Sequence, residues 1–419
     1  MYIEKIRDEL KCVGCGNCCN GCPVDAISMR QDNCGFLAPF IDKQKCIDCG
    51  KCETVCPING LIYTEKSDFP NTKIIAAKDV DFLKDVASGG LCSLLMDCFV
   101  TQLSGYICGA VYDKNFAVKH VLTNDKDLLK EMRHSKYVQS DLNSCVCEIE
   151  ELLKKKQYVL FIGTACQVYA VKKYLKKEYE RLFCVDLVCH GVPSPKVQQE
   201  YIKYLEKDGK KVAGLNNRNK KQYKHSYVST YLVDYKDGSK IINRYSDDPM
   251  ADAFFSHLSI RETCFDCSFK TIGRISDLTV GDFWFSEQYG MGEDKLGVNL
   301  CLIQSEKGND LLNFVKNNLI EIDIQTERAV LLNGGMIYSS CKMNKNRTAF
   351  FSELGNIPFD DLVFKYDGMS KGTKFKNHLR EIIAPALRKT RYYNMQLKKS
   401  HDARLKKSIP LDKKGKLHY

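Results

Sequence analysis

The chain has 419 residues, is 44% hydrophobic and carries a formal net charge of +11. That length supports a sizeable core in two or three domains, while the lack of long apolar runs or a basic-then-apolar start leads us to expect neither a membrane span nor a signal peptide. Residues 371–419 hold 15 Lys/Arg against 3 Asp/Glu, a net +12, so the remainder sums to −1 and the overall basicity gives no reason to expect a nucleic-acid-binding core.

The 22 cysteines are crowded toward the start, with ten before residue 60. Without an export signal, that density points to metal rather than disulfides, and to a reducing cytoplasm. Cys12, Cys15, Cys18 and Cys22 follow C-x2-C-x2-C-x3-C-P, and the pattern recurs 34 residues later as Cys46, Cys49, Cys52 and Cys56, each run closed by proline. This is the bacterial two-cluster ferredoxin spacing, in which the fourth cysteine of each run ligates the other cluster. The spacing therefore predicts one 4Fe-4S cluster on Cys12, Cys15, Cys18 and Cys56. A second falls to Cys46, Cys49, Cys52 and Cys22. Zinc knuckles do not repeat such three-plus-one sets. Gly14, Gly16 and Gly50 suit a backbone wrapped closely around sulfide. Cys19 and Cys34 fit neither set and read as spare thiols. Two clusters carry single electrons, so the rest of the chain is expected to supply or use them.

After Pro70 short apolar runs alternate with amphipathic stretches. "TKIIAA" and "GYICGAVYD" predict strands around a helical "LCSLLMDCFVTQ". "YVLFIGT", "ACQVYAVKKYLKKEY" and "LFCVDLVCHG" then predict strand, helix and strand, an order that favours parallel crossovers. "YVSTYLVDYKDGSKIINRY" predicts a hairpin about Asp237-Gly238. "ISDLTVGDFWF" and "NLCLIQ" add strands, and "KGNDLLNFVKNNL" a helix. The fold class expected is mixed α/β (α+β), a ferredoxin-type domain followed by an α/β body.

Three junctions carry chemistry. Ser88-Gly89-Gly90 opens a helix, where free amides favour an anion, although such a tripeptide is often only a cap. Gly163-Thr164 ends a strand with Cys166 beginning the next helix, and Cys189-His190 ends another; ligands of open α/β sheets gather at such ends. Each strand-end cysteine alone reads as a buried thiol more often than a ligand. The C-x2-C of Cys264 and Cys267, however, needs two more thiolates, and Cys166 and Cys189 are the natural candidates for a third four-cysteine centre. His190, taken alone, is more often structural than a proton relay.

"SGG", "SKYVQS" (Ser135–Ser140), "GTACQ", "CHGVPSP", the Cys264 C-x2-C and "SDLTVGDFW" occur in this order. Together they resemble the beta subunit of coenzyme F420 hydrogenases and dehydrogenases from about residue 73 to 330. With its fused ferredoxin, the chain is similar to the electron-input subunit of reduced-deazaflavin dehydrogenases. It departs from the family where Ala165 replaces a common proline. The resemblance implies a non-Rossmann FAD site and a further 4Fe-4S cluster on Cys166, Cys189, Cys264 and Cys267. It implies that Ser88, Gly89, Gly90, Ser135, Lys136, Tyr137, Gly163 and Thr164 surround the flavin, with Lys136 either facing it or lying on the surface.

The organisation expected is a ferredoxin domain at 1–66, a flavin and iron–sulfur body at 67–365 (parts at about 73–150 and 155–330) and a basic tail at 366–419. The activity expected is an FAD-dependent iron–sulfur oxidoreductase exchanging hydride with a deazaflavin or another organic substrate. Its partners would be a redox protein or a small hydride donor or acceptor. A non-catalytic electron-transfer subunit is the alternative. A third possibility, a docking module, does not call for internal thiolates. The tail, interrupted by Pro385, reads as a partly ordered solvated helix, with contact to an anionic membrane surface as the rival.

Overall fold

Alternation of apolar residues builds the central layer of the molecule. The computed structural model describes residues 2–60, 71–220, 230–291, 296–333, 335–367 and 391–407. A nine-stranded sheet runs in the order Leu319–Asp323, Asn71–Ala77, Asn299–Ile303, Leu278–Asp282, Leu182–Leu187, Val159–Thr164, Tyr106–Tyr112, Val118–Thr123 and Ser140–Asp141. The four strands from Leu278 to Tyr112 in that order are mutually parallel. The strands beyond Leu278–Asp282 return antiparallel. The parallel centre is the crossover arrangement expected from the strand–helix–strand order.

Period-two alternation sends neighbouring residues to opposite faces. Ile75, Leu160, Val185 and Cys301 face the helices Leu91–Leu103 and Glu306–Val315. Val159, Phe161 and Cys184 face Cys145–Lys154 and Ala165–Leu175. Ile74, Leu300 and Leu302 meet Thr326–Leu332 on that opposite side. Both faces are thus covered, as a sheet with a parallel centre requires.

A separate three-stranded sheet, Val212–Asn219, Thr230–Tyr235 and Lys240–Arg244, contains the hairpin about Asp237-Gly238. Gly238 takes the left-handed conformation at φ +81° and its amide donates to the Tyr235 carbonyl at 3.0 Å. Helices Pro195–Leu205, Pro249–Phe255 and Phe359–Tyr366 share a second core with this sheet, and Phe36 from the N-terminal region enters it.

The N-terminal region pairs Ile27–Gln31 with Leu37–Ile41 and places two one-turn helices, Asn17–Asn20 and Lys51–Thr54, beside its cysteine runs. Gly16 and Gly50 begin those helices at φ +77° and +70°, a conformation that glycine adopts without strain. Buried polar contacts join this region to the body. Asn17 Nδ2 donates to Val55 O at 3.0 Å and to Ala170 O at 2.7 Å, while Arg261 Nε donates to Cys12 O at 2.7 Å. Asn17→Ala strands two buried acceptors, so a loss of about 2 kcal/mol is expected. The measurement is the denaturation midpoint of the cluster-loaded protein, with faster proteolytic release of residues 1–60 as a second readout.

Two elements end differently from expectation. The helix predicted to continue to Tyr179 stops at Leu175, where Lys176 turns left-handed at φ +59°. Of the basic tail expected at 366–419, residues 368–390 (with Pro385) and 408–419 lie outside the described residues. The helix Arg391–Leu405 packs one end on the body: His401 is buried, and Arg404 lies 5.1 Å from both the Trp284 and Phe285 rings. No helix among the described residues is long and apolar enough to cross a membrane.

Candidate iron–sulfur and cofactor site

Three groups of thiols follow one another from the N-terminal region into the body. The outermost surrounds a cavity of about 280 Å³ lined by Cys22 from the first run and Cys46, Cys49 and Cys52 from the second. Cys49 is exposed, and Ile47 beside it is 61% exposed, so this group faces solvent. Ala26 N–H donates to Cys22 Sγ at 3.3 Å, the kind of contact that stabilises a cluster-bound thiolate.

The middle group contains the remaining members of the two runs. Burial holds the Cys15 thiol far above its ordinary pKa, and the nearby Cys18, Cys12 and Cys56 thiols add to the shift. Cys18 is pushed the same way by burial and then by Cys12 and Cys56. Four thiols that repel one another's charge in a dry setting are what a cationic iron–sulfur core neutralises. Gly14 N–H donates to Cys12 Sγ at 3.3 Å. The spare thiols take ordinary roles: Cys19 donates to Ile27 O at 2.9 Å, and Cys34 packs at the edge of the second core.

Deeper in, the strand ends bring together the four body cysteines. Cys166 lies in the first turn after Val159–Thr164, Cys189 follows Leu182–Leu187, Cys264 lies within a single 3₁₀ turn, Glu262–Asp266, and Cys267 ends it. Burial raises Cys264 far above the usual thiol value, with Cys189, Cys267 and Cys166 each adding to it. Cys166 is pushed up to about 12 by burial, then by Cys267 and Cys189, and finally by Cys15 of the middle group. Gly191, at φ +151°, lets the chain pass where a Cβ would lie 2.7 Å from Ile260 Cγ2 and 3.5 Å from Cys264 Cβ. Val13 and Ile58 pack on the apolar cluster that holds Cys166 and Cys267, closing the gap between middle and inner groups.

The segments expected around a flavin have distinct settings. Ser88 is buried at φ +49°, its hydroxyl donating to Val298 O at 3.2 Å. Gly89 is hemmed in, because a Cβ would stand 2.5 Å from Ile75 O. Gly90 caps Leu91–Leu103 at φ +79°, and the Leu91 amide already donates to Asn299 Oδ1 at 3.1 Å. Part of that helix start is therefore used internally. A buried cation the sequence did not flag stands beside it: Lys220 Nζ donates to Ser88 O at 2.6 Å. Arg218 pairs with Asp282 at 2.8 Å, and its electrostatic neighbours also include Tyr137. Thus "SGG" and "SKY" approach one another through Arg218 and Lys220.

Lys136 is half-buried. Burial lowers its pKa to about 8; its Nζ donates to Glu131 O and, at 2.9 Å, to His134 O, and it lies 5.7 Å from the Tyr112 ring centroid. Tyr137, just after Ser135-Lys136, stacks on Phe254 at 5.1 Å. Gly163 and Thr164 finish their strand. Thr164 forms a capping box with Gln167, and Thr164 Oγ1 lies 3.1 Å from Cys166 Sγ. His120 bridges the two regions, with Nδ1 2.7 Å from Ser140 Oγ and Nε2 3.1 Å from Ile162 O. The Tyr231 hydroxyl, whose electrostatic neighbours include Tyr137 and Tyr112, is buried with no hydrogen-bond partner among the described residues. Buried cations and an unpaired hydroxyl at strand ends fit a group with a diphosphate and a polar ring such as FAD.

Residues 156–327 match the family model for the C terminus of the coenzyme F420 hydrogenase/dehydrogenase beta chain. Over these residues the chain belongs to the coenzyme F420 hydrogenase/dehydrogenase beta-subunit family. Residues 11–59 of this beta-subunit-family chain match a 4Fe-4S dicluster domain, which makes it an iron–sulfur protein. A chain of the F420-reducing NiFe hydrogenase complex from Methanosarcina barkeri, solved after xenon derivatization, superposes with a TM-score of 0.43 and 14% identity, covering 72% of this chain and 90% of that one. A search of curated proteins found no match.

Arg218, Lys220 and Asp282, which surround the segments expected to hold a flavin, were not among the residues singled out from the sequence. Asp282 had a signal, since it lies in "SDLTVGDFW" at a strand end. Arg218 and Lys220 sit in the polar run "LNNRNKK", which reads as surface.

Proposed function

We propose that the chain is an FAD-dependent iron–sulfur oxidoreductase that moves electrons between three 4Fe-4S clusters and a flavin. Hydride is exchanged with a deazaflavin or another organic substrate. Cys22, Cys46, Cys49 and Cys52 hold the outer cluster; Cys12, Cys15, Cys18 and Cys56 hold the middle one; Cys166, Cys189, Cys264 and Cys267 hold the inner one. The observation that carries this reading is the unbroken order of thiol groups, in which Cys15 of the middle set is close enough to Cys166 of the inner set to shift it. The domains follow the sequence boundaries, 1–66, 67–365 and 366–419.

FAD supplies the exchange between two-electron and one-electron chemistry. This chain's own residues do the rest. Arg218 and Lys220 offer buried positive charge for a diphosphate near Ser88-Gly89-Gly90. Tyr137 and Phe254 form an aromatic wall, and Gly163-Thr164 keeps the strand end open beside Cys166. Lys136 places a cation where anionic reduced flavin needs one.

Anaerobic reconstitution with iron, sulfide and FAD is the deciding experiment. About twelve irons and one flavin per chain are expected. Mixing with reduced deazaflavin, NADH and NADPH in turn should then bleach the cluster absorbance with one donor only. About eight irons without flavin would refute the reading. The exposed Cys49 favours a second reading, an electron-transfer subunit serving a separate enzyme. That reading expects flavin reduction only through the clusters and no turnover with any hydride donor.

Lys136 yields a pH prediction. Its pKa of about 8 is depressed by burial, so the side chain is charged below pH 8 and neutral above it. Glu131 partly opposes the depression, and the only other titratable neighbour that couples to it among those described above, His120, is held neutral by a pKa of about 4. The flavin potential should therefore fall more steeply above pH 8. Lys136→Met should remove that break and lower the potential at pH 7 by about 30 mV, a tenfold weaker hold on the reduced form. A potential–pH curve identical to the parent's would refute the role.

A further inference from the structure

A group of possible metal ligands lies beside the inner thiols but outside all three sets. The ligand atoms of His190, His257 and Cys341 lie within 4.8 Å of one another, and each residue is partly accessible. They come from three separated segments: the loop after Leu182–Leu187, the turn after helix Pro249–Phe255, and the stretch preceding Arg347–Glu353.

His190 Nε2 and His257 Nε2 face each other at 2.9 Å. His257 Nδ1 is 2.8 Å from Lys342 O, and a carbonyl can only accept, so Nδ1 carries the proton and Nε2 presents its lone pair, which accepts from His190 Nε2–H until a metal takes the place of that proton. A backbone carbonyl fixing the far nitrogen is the usual support of a metal-bound imidazole. His257 also holds a left-handed backbone at φ +65°, a conformation that costs about 1 kcal/mol or more without glycine and persists where surroundings impose it. Cys341 Sγ makes a long contact, 3.6 Å, to His190 O. Tetrahedral zinc with Zn–N near 2.0 Å and Zn–S near 2.3 Å separates its ligand atoms by about 3.3–3.6 Å. The 2.9 Å between the two imidazole nitrogens opens to that value with a shift of a few tenths of an ångström, and Cys341 Sγ lies within 4.8 Å of both.

We propose that His190, His257 and Cys341 bind one mononuclear zinc ion, with water at the fourth position. Two neutral imidazoles and one thiolate are a borderline-soft set that suits zinc. The ion would pin the Ser339–Lys342 stretch over the inner thiols. Ser340 Oγ already accepts the Cys267 amide at 3.0 Å and Ser339 O accepts Lys270 Nζ at 2.9 Å. This inference does not depend on FAD or on any hydride donor.

The test is zinc analysis and zinc-edge X-ray absorption on the anaerobically purified full chain with its clusters in place, after dialysis against micromolar zinc. One zinc per chain is expected, with a mixed nitrogen and single-sulfur shell. His257→Ala and Cys341→Ser should each lower zinc at least tenfold while iron content stays at the parent value. His257→Cys is the second variant: it should retain zinc and raise the sulfur count to two. Zinc below a tenth of an equivalent in iron-replete parent protein would overturn the proposal. So would zinc in an all-sulfur shell, which would place it on cluster cysteines. Loss of iron together with zinc in Cys341→Ser would assign that thiol to the inner cluster and equally refute the site.

Discussion

Serine in place of Cys264 is expected to lower the iron content from about twelve to about eight per chain and to cut electron flow between hydride donor and one-electron acceptor by more than about 100-fold. Cys264 is the inner thiol that couples to all three of its companions, Cys189, Cys267 and Cys166. It sits on a single 3₁₀ turn beside Gly191, where the backbone has no slack to bring a substitute closer. Loss of an outer partner of a metal ligand already costs 10- to 100-fold, so loss of the ligand itself should exceed that. The two ferredoxin-type clusters should survive, because their thiols belong to residues 12–56 and pack around their own cavity and core. The readouts are iron per chain, low-temperature spin-resonance signals and the rate of cluster bleaching by a hydride donor. Cys19→Ser is the control: that thiol donates to Ile27 O at 2.9 Å and belongs to no set, so iron should remain at the parent value. Full iron in Cys264→Ser would remove it from the inner site and leave the C-x2-C without its role.

The parts of this site legible in the sequence are those encoded within a few residues. The two cysteine runs report their clusters because a cubane needs three thiolates on one short loop, and proline marks the fourth. The crossing of Cys22 and Cys56 between sets follows from that local rule, and Cys22 indeed lines the cavity of the second run. The strand ends at Thr164 and Leu187 were legible from apolar runs that stop at Gly-Thr and Cys-His. Sheet order was not, since the antiparallel pairing of Asn299–Ile303 with Asn71–Ala77 joins residues more than 200 positions apart. Separations of 67 residues from His190 to His257 and 151 from His190 to Cys341 likewise hid the meeting of those three side chains. Arg218 and Lys220 were illegible for another reason: hydrophilic neighbours in sequence suggest a wet surface, yet tertiary packing buries Lys220 and leaves the Arg218 side chain only 12% exposed. Polarity of a segment does not report the burial of one long side chain within it.

Arg274→Met is expected to destabilise the fold by about 3–5 kcal/mol, a large part of the 5–15 kcal/mol that holds a typical domain together. Arg274 is 2% exposed and Asp186 is 1% exposed, and Nη1 meets Oδ1 at 2.5 Å. The remaining guanidinium donors reach Thr271 O at 2.9 Å and Ile337 O at 3.1 Å, while Asp186 Oδ2 accepts Ser276 Oγ at 2.6 Å and Thr279 Oγ1 at 3.2 Å. Asp186 lies on Leu182–Leu187, three residues before Cys189, so the pair anchors the strand end that presents an inner thiol. Burial raises the Asp186 pKa, and Arg274 is the main influence pulling it down. Methionine removes that pull and leaves a buried carboxylate without its cation. The folded pKa then rises further above the unfolded value near 3.9. The variant should accordingly be relatively more stable in acid, and lose stability as pH climbs through the raised folded pKa. Removing both charges with Asp186→Leu in the same chain should recover much of the loss, because the penalty lies in the unpaired ion rather than in the missing bridge. Denaturant midpoints at pH 5 and pH 8 for parent, single and double variants decide it. Equal midpoints for parent and Arg274→Met at pH 8 would show that water or another cation already neutralises Asp186.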